Sequence, residues 1–207
     1  MMMAARVTRS VQGSSPSSPG RTSRTTPARA AAVAEQLQHE CATLLELYKK
    51  RESFPADLGD GRMVSVPPSS SQLDSRDELW RLHSALLQCR NLLERAVDKE
   101  EKELTGGEKG EYKNRRTTVK ERLSSLLLNT GELLKADGAA ALTPSTDGLE
   151  LDGPANPFEL KLWVYRIYRE VDHWTKMAVT TLKHLPPDVG KSRIRIGKAR
   201  ALRSARR

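Results

Sequence analysis

The chain has few aromatic residues, two cysteines and no long apolar run. Aromatic residues make up 4% of its 207 residues, so a folded core must consist mainly of Leu, Val, Ile and Ala. The two cysteines, Cys41 and Cys89, are too few for a disulfide-rich secreted scaffold, and we expect two free thiols. No apolar run approaches the roughly 18 residues that cross a bilayer, so no membrane insertion is expected.

Acidic residues are missing from both ends of the chain. Residues 1–29 contain five Arg and residues 191–207 contain eight Lys or Arg, in both cases with no acid. Of the 35 basic and 26 acidic residues in total, 22 basic and 26 acidic residues remain in 30–190. The formal charge of +9 therefore comes from the ends. A basic tail at 191–207 suits a heparan-type polyanion or a nucleic acid, or it is simply a solvated disordered end.

The N-terminal 27 residues are rich in Ser, Thr, Pro and Arg, and we expect a disordered arm there. They show no apolar block of the kind found in secretory signals, which predicts a cytoplasmic protein. Their acid-free composition matches a mitochondrial transit peptide, but three Pro and two Gly would break the amphipathic helix that such a peptide needs. Residues 187–207 are likewise expected to form a disordered basic tail.

Apolar residues recur at three- and four-residue steps in four segments, which predicts an all-α domain over residues 28–186. A capping box at Ser75-Arg76-Asp77-Glu78 is expected to start the second helix, and Gly138 to end the third. Asn156 suits the N-cap of the fourth helix, and Pro157 its first position. The predicted helices cover about 28–52, 75–104, 111–136 and 157–185.

The connections between the helices are long, short and long. A short connection joins antiparallel neighbours, whereas about twenty extended residues reach roughly 66 Å and can run back along a whole helix. This order predicts an up-up-down-down long-chain four-helix cytokine bundle with two long crossover loops.

Signals for catalysis or metal binding are sparse. The chain has no C-x-x-C or H-E-x-x-H motif, and no Gly-rich loop follows a strand. Glu170-Val171-Asp172-His173 fits the Glu-x-x-His spacing of di-iron bundles once, but no second copy exists. We therefore expect an exposed acidic turn at Glu170, with no metal, no cofactor and no catalytic residue.

The stretch N-P-F-E-L-K-L-W at 156–163 opens the fourth helix with an aromatic residue outside its apolar stripe. Phe158 and Lys161 are three residues apart and share one side of the first turn. An aromatic residue beside a cation here either plugs the last core layer or stays exposed as an anchor for a partner. The spacing alone does not separate these two interpretations.

Together these residues resemble the ciliary neurotrophic factor family, one of the long-chain cytokine families that signal through the leukaemia inhibitory factor receptor. The shared mark is Phe-x-x-Lys at the start of the fourth helix, which Phe158-Glu159-Leu160-Lys161 satisfies. Leu-Trp follows at once, and Trp-Thr comes eleven residues after that Trp. D-G-R-M-V at 60–64 in the first crossover is similar to the D-G-M-P-V of that family. The resemblance covers roughly residues 30–186.

The resemblance implies a neurotrophic cytokine that does no chemistry and acts outside the cell after release. Phe158 and Lys161 would bind the leukaemia inhibitory factor receptor, and other faces an alpha receptor and a shared signal-transducing glycoprotein. Assembly would trigger JAK-STAT signalling for neuronal survival and differentiation. Family Trp positions near the alpha-receptor face are matched by Trp80 and by Trp174-Thr175, and Lys176 follows them. Trp174 also falls on the core stripe, and Met177 stands where the family has a basic residue.

Two other interpretations stay open at this stage. A cardiotrophin-like cytokine shares the Phe-x-x-Lys motif. An intracellular helical adaptor or nucleic-acid-associated protein would act through the basic tail instead, and its affinity would fall steeply with salt.

Overall fold

The structure, a computed structural model, describes the four predicted helices and part of their connections. The described residues are 25–54, 61–67, 74–104, 110–136, 154 and 156–186. They contain α-helix and no strand. The helices are α1 (Pro27–Glu52), α2 (Ser75–Glu103), α3 (Glu111–Ala136) and α4 (Pro157–His184). Each bound lies within one residue of its predicted position.

The helix ends agree with the sequence at α4 and differ from it at α2. The Asn156 side chain accepts a hydrogen bond from the backbone N–H of Phe158 at 2.9 Å, and Pro157 occupies the first turn. The prediction of a capping box that begins at Ser75 is wrong. Asp74 is the N-cap, and its side-chain Oδ1 accepts a hydrogen bond from the Ser75 N–H at 2.7 Å. Gly138 lies outside the described residues, as do the N-terminal arm and the basic tail.

The packing partners fix the topology. α1 contacts α3 and α4, and α2 contacts the same two helices, so α1 and α2 lie on one diagonal of the bundle. The end of α1 meets the start of α4 through Glu52 and Lys161, and its start meets the end of α4 through Glu35 and Lys183. These two helices are therefore antiparallel. The other neighbouring helices are also antiparallel, because later residues of one helix contact earlier residues of the other. The contacts are Glu40–Arg115 and, from just before α1, Thr25–Asn129 between α1 and α3, Glu100–Arg116 and His83–Thr130 between α2 and α3, and Glu100–Tyr168 and Arg81–Trp174 between α2 and α4.

Both α1 and α2 thus run against both α3 and α4, which is the up-up-down-down arrangement of cytokine bundles. The prediction of an all-α four-helix bundle is confirmed. Its core is mainly leucine, as the low aromatic content requires. Both cysteines are free and buried in this core, and burial raises the pKa of the Cys41 thiol to about 12. The thiols are therefore protonated at neutral pH. Among the described residues, no helix is long and apolar enough to cross a membrane.

The C-cap of α1 holds Ser53 in the left-handed region, at φ 54° and ψ 38°. A residue with a Cβ is less stable there than glycine by roughly 1–2 kcal/mol. We expect Ser53→Gly to raise the free energy of unfolding by about 1 kcal/mol, measured by urea denaturation. Ser53→Ala, which keeps the Cβ, is the control and should stay within about 0.5 kcal/mol of wild type. Equal stability of the glycine and alanine variants would contradict the assigned strain.

Candidate functional site

Phe158 lies in the first turn of α4 with its side chain in solvent. The residue is 62% exposed, whereas Leu160, two positions on, is fully buried. Among the described residues only Leu128, at 70%, is a comparably exposed large hydrophobic residue. The interpretation of Phe158 as a plug of the core is therefore wrong, and Leu160 fills that layer instead. An exposed aromatic side chain at one end of a bundle is a candidate anchor for a partner.

Lys161 lies beside Phe158 and is held by the end of α1. Its Nζ is 2.6 Å from Glu52 Oε2. The Glu52 side chain is 5% exposed and that of Lys161 37% exposed, so the carboxylate is covered while the ammonium still reaches solvent. The Tyr48 hydroxyl donates to the Lys161 carbonyl oxygen at 3.2 Å and fixes the backbone at this point. We call Glu52, Phe158 and Lys161 the end surface.

Beneath the end surface is a buried polar cluster centred on Glu100 of α2. Glu100 is 1% exposed, and Arg116 of α3 donates to its Oε2 at 2.8 Å. The Tyr112 hydroxyl lies 2.9 Å from both carboxylate oxygens, and the Tyr168 hydroxyl lies 3.3 Å from Oε2. Arg51 of α1 lies 3.2 Å from Oε1. Four helices therefore meet at one carboxylate.

The electrostatics of this cluster keep its two tyrosines neutral. Burial raises the pKa of the Tyr168 phenol, and the neighbouring Glu100 carboxylate raises it further. Burial raises the pKa of Tyr112 as well. The phenols therefore keep their protons, and the two hydroxyls, which lie 2.7 Å apart, hydrogen-bond to each other and to the carboxylate. The ring of Tyr48 packs edge-on against Tyr168 with the centroids 5.2 Å apart, which joins the cluster to the aromatic part of the core.

A second region of interest lies where part of the first crossover, residues 61–67, crosses α2 and α4. Gln88 holds this segment by a reciprocal pair, accepting from the Ser65 N–H at 3.2 Å and donating to the Ser65 carbonyl at 2.9 Å. Glu170 accepts from the Met63 N–H at 3.4 Å. Side chains of two helices thus fix the path of the crossover.

Glu170 is 4% exposed, so the expectation of an exposed acidic turn there is wrong. Its other oxygen accepts from Trp174 Nε1 at 2.9 Å, and its role is to join the crossover to α4. His173 lies next to Glu170, and burial lowers the pKa of the His173 imidazole. Within the described ranges no group of three or more His, Cys, Asp or Glu side chains is arranged to hold a metal ion.

The residues matched to the alpha-receptor face divide into buried and accessible ones. Trp174 is 5% exposed, with the Arg81 guanidinium 5.1 Å from its ring centroid. Thr175 is fully buried, and its hydroxyl donates to the Val171 carbonyl at 2.7 Å. Trp80 is partly buried against the core. Lys176 is accessible and pairs with Asp172 at 2.7 Å. Of these four, only Trp80 and Lys176 present side-chain surface to solvent.

A cavity of about 490 Å³ lies in the groove between α1 and α4, beside the first crossover, with Arg62 and Glu170 among its lining residues. Its walls carry both charges, because Lys49, Arg166 and Arg169 line it together with Glu46 and Asp172. Most of the lining side chains are charged, and Ala42, Leu45 and Tyr165 are the apolar or aromatic ones. Drug-sized ligands occupy mainly apolar pockets with a few placed polar groups, and the groove does not have that character.

Comparison with known protein families gives a match that covers nearly the whole chain. The sequence model of the family described as ciliary neurotrophic factor matches residues 12–200. No curated protein matches the chain.

Proposed function

The chain belongs to the ciliary neurotrophic factor family, and on this premise we propose that it is a cytokine that assembles a receptor complex and triggers JAK-STAT signalling. The complex would contain the leukaemia inhibitory factor receptor, an alpha receptor and a shared signal-transducing glycoprotein. The responding cells would be neuronal, and the outcome survival and differentiation. The protein would act by binding alone, without catalysis, cofactor or metal.

The observation that carries this proposal is the exposure of Phe158 next to Lys161 at the start of α4. Phe158 is 62% exposed, so most of its apolar surface is not buried in the bundle itself. Aromatic residues dominate the energetics of interfaces when they enter a pocket on a partner. The family places its leukaemia inhibitory factor receptor contact at Phe-x-x-Lys, and we assign Phe158 and Lys161 to that contact.

The alpha receptor is assigned to the region around the first crossover. Trp80 and Lys176 offer accessible side chains for direct contact. Trp174 and Thr175 are buried, so their part would be to support this surface from below. Glu170 and Gln88 would fix the crossover segment in place for the same partner.

The remaining parts of the proposal concern the location and the tail. We propose that the protein is made in the cytoplasm and acts outside the cell after release. The two cysteines, free and buried in the core, suit synthesis in a reducing compartment. The basic segment 191–207 lies outside the described residues, and binding of a heparan-type polyanion to it stays a prediction.

The test is STAT phosphorylation in cells that express all three receptor chains and in sister cells that lack one chain each. We expect a response to the purified protein in the complete cells and none where the leukaemia inhibitory factor receptor is omitted. No response in the complete cells would contradict the cytokine assignment. A full response without the leukaemia inhibitory factor receptor would contradict the assigned receptor.

A further inference from the structure

A chain of ion pairs crosses the end of the bundle beneath Phe158 and links all four helices. It runs from Lys161 of α4 to Glu52 of α1, then through Arg51 to Glu100 of α2 and on to Arg116 of α3. The Arg51 Nε lies 3.1 Å from Glu52 Oε1, while Lys161 Nζ lies 2.6 Å from Glu52 Oε2. Each carboxylate oxygen of Glu52 therefore has its own cation.

Lys161 is the most exposed of the five residues in this chain. Its side chain is 37% exposed, against 28% for Arg51 and 4% for Arg116. A lysine ammonium has three N–H donors. One donor reaches Glu52 in the covered layer, which leaves the others for a group that approaches from solvent. Glu52 pairs with Arg51 as well as with Lys161, so its single negative charge does not neutralise both cations. The solvent side of the Lys161 ammonium therefore keeps a positive character.

An unpaired lysine would have to be ordered when a partner binds. Its side chain is flexible, and immobilising one rotamer-rich side chain at an interface weakens binding by roughly two- to tenfold. The contact to Glu52 and the hydrogen bond from Tyr48 to the Lys161 carbonyl have already restrained this residue in the free protein. The Lys161 side chain is therefore already ordered before a partner binds.

We propose that Glu52 is a positioning residue for receptor binding, which holds the Lys161 ammonium toward a carboxylate of the partner. The partner surface that fits would combine an apolar pocket for the Phe158 ring with an acidic side chain for Lys161. The inference rests on the proposed function of the end surface. Glu52 itself is covered and makes no contact with the partner.

Binding of Glu52→Gln to the immobilised ectodomain of the leukaemia inhibitory factor receptor tests this role. The variant keeps the size of the side chain and removes its charge. We expect affinity to fall roughly three- to tenfold, mainly through faster dissociation. Glu46→Gln is the matched control. Glu46 is also on α1, and its Oε1 lies 3.3 Å from the Nζ of Lys49, but this pair is not part of the end surface. It should bind like wild type.

A double-mutant cycle separates positioning from a structural effect. In a Lys161→Met background, Glu52→Gln should have no further effect, because there is no ammonium left to orient. Glu52→Asp, which keeps the charge, should bind more tightly than Glu52→Gln and serves if the latter unfolds. Equal losses in both backgrounds, or Glu52→Gln binding as tightly as wild type or more so, would overturn the positioning role. Failure of the wild-type protein to bind the receptor would instead overturn the proposed function, on which the role of Glu52 rests.

Discussion

The double variant Phe158→Ala/Lys161→Ala is expected to lose at least about a hundredfold in potency for STAT phosphorylation. Residues at the centre of an interface contribute roughly 2 kcal/mol or more each when truncated, and about 1.4 kcal/mol is a factor of ten. Removing an exposed ring and its neighbouring cation takes away both anchors of the end surface at once. The measurement is a dose–response curve in cells with all three receptor chains.

The fold should survive this double change. Phe158 is 62% exposed and does not belong to the core. Lys161→Ala leaves Glu52 paired with Arg51 at 3.1 Å, so no charge is orphaned. We expect a helical circular dichroism spectrum equal to that of wild type. A folded double variant with full potency would show that this end of the bundle is not a receptor contact.

The second large effect is expected from Arg116→Met, which should lower the free energy of unfolding by about 3 kcal/mol. Breaking a buried ion pair from one side leaves an uncompensated charge, and the typical loss is about 3–5 kcal/mol. Arg51 still reaches Glu100 Oε1 at 3.2 Å and offsets part of the loss, which places the expectation at the lower bound. The measurement is urea denaturation followed by circular dichroism.

The matched control for this variant is Arg90→Met. Arg90 pairs with Glu94 at 3.1 Å on the surface of α2, and their side chains are 40% and 35% exposed. Such exposed pairs contribute about 0.5 kcal/mol or less. If both variants lost the same small amount, Glu100 would be solvated in solution and the buried cluster would not stabilise the end of the bundle.

The bundle could be predicted because its determinants are local and periodic. Leu37, Cys41 and Leu44 repeat at four- and three-residue steps along α1, and the lengths of the connections decide which helices can be parallel. The cap of α2 is not determined by the local sequence, because the neighbouring polar residues Asp74 and Ser75 can both accept hydrogen bonds from the same N–H groups. Only the path of the backbone decides between them.

The charged cluster left a signal in the sequence that periodicity alone does not explain. Glu100 continues the stripe of Leu93 and Ala96, and Arg116 precedes Val119 and Leu123 at the same spacing. A charge on an apolar stripe is costly unless it is paired, so two of opposite sign predict a buried pair. Which helices supply the partners depends on the tertiary packing.

The exposure of Phe158 could not be decided from spacing. In the first turn of a helix the side chain has no preceding turn beside it, so its surroundings come from other elements. The end of α1 supplies Glu52 to Lys161 here and leaves the ring uncovered. The position of that helix end is a property of the whole bundle.

Equilibrium binding to the purified ectodomain of the leukaemia inhibitory factor receptor tests the central claim most directly. It compares wild type, Phe158→Ala/Lys161→Ala and Leu128→Ala, the last of which removes an equally exposed apolar side chain from α3. We predict that wild type and Leu128→Ala bind alike and that the double variant binds at least about a hundredfold more weakly. Equal binding by all three proteins, or no binding by wild type, would contradict the account.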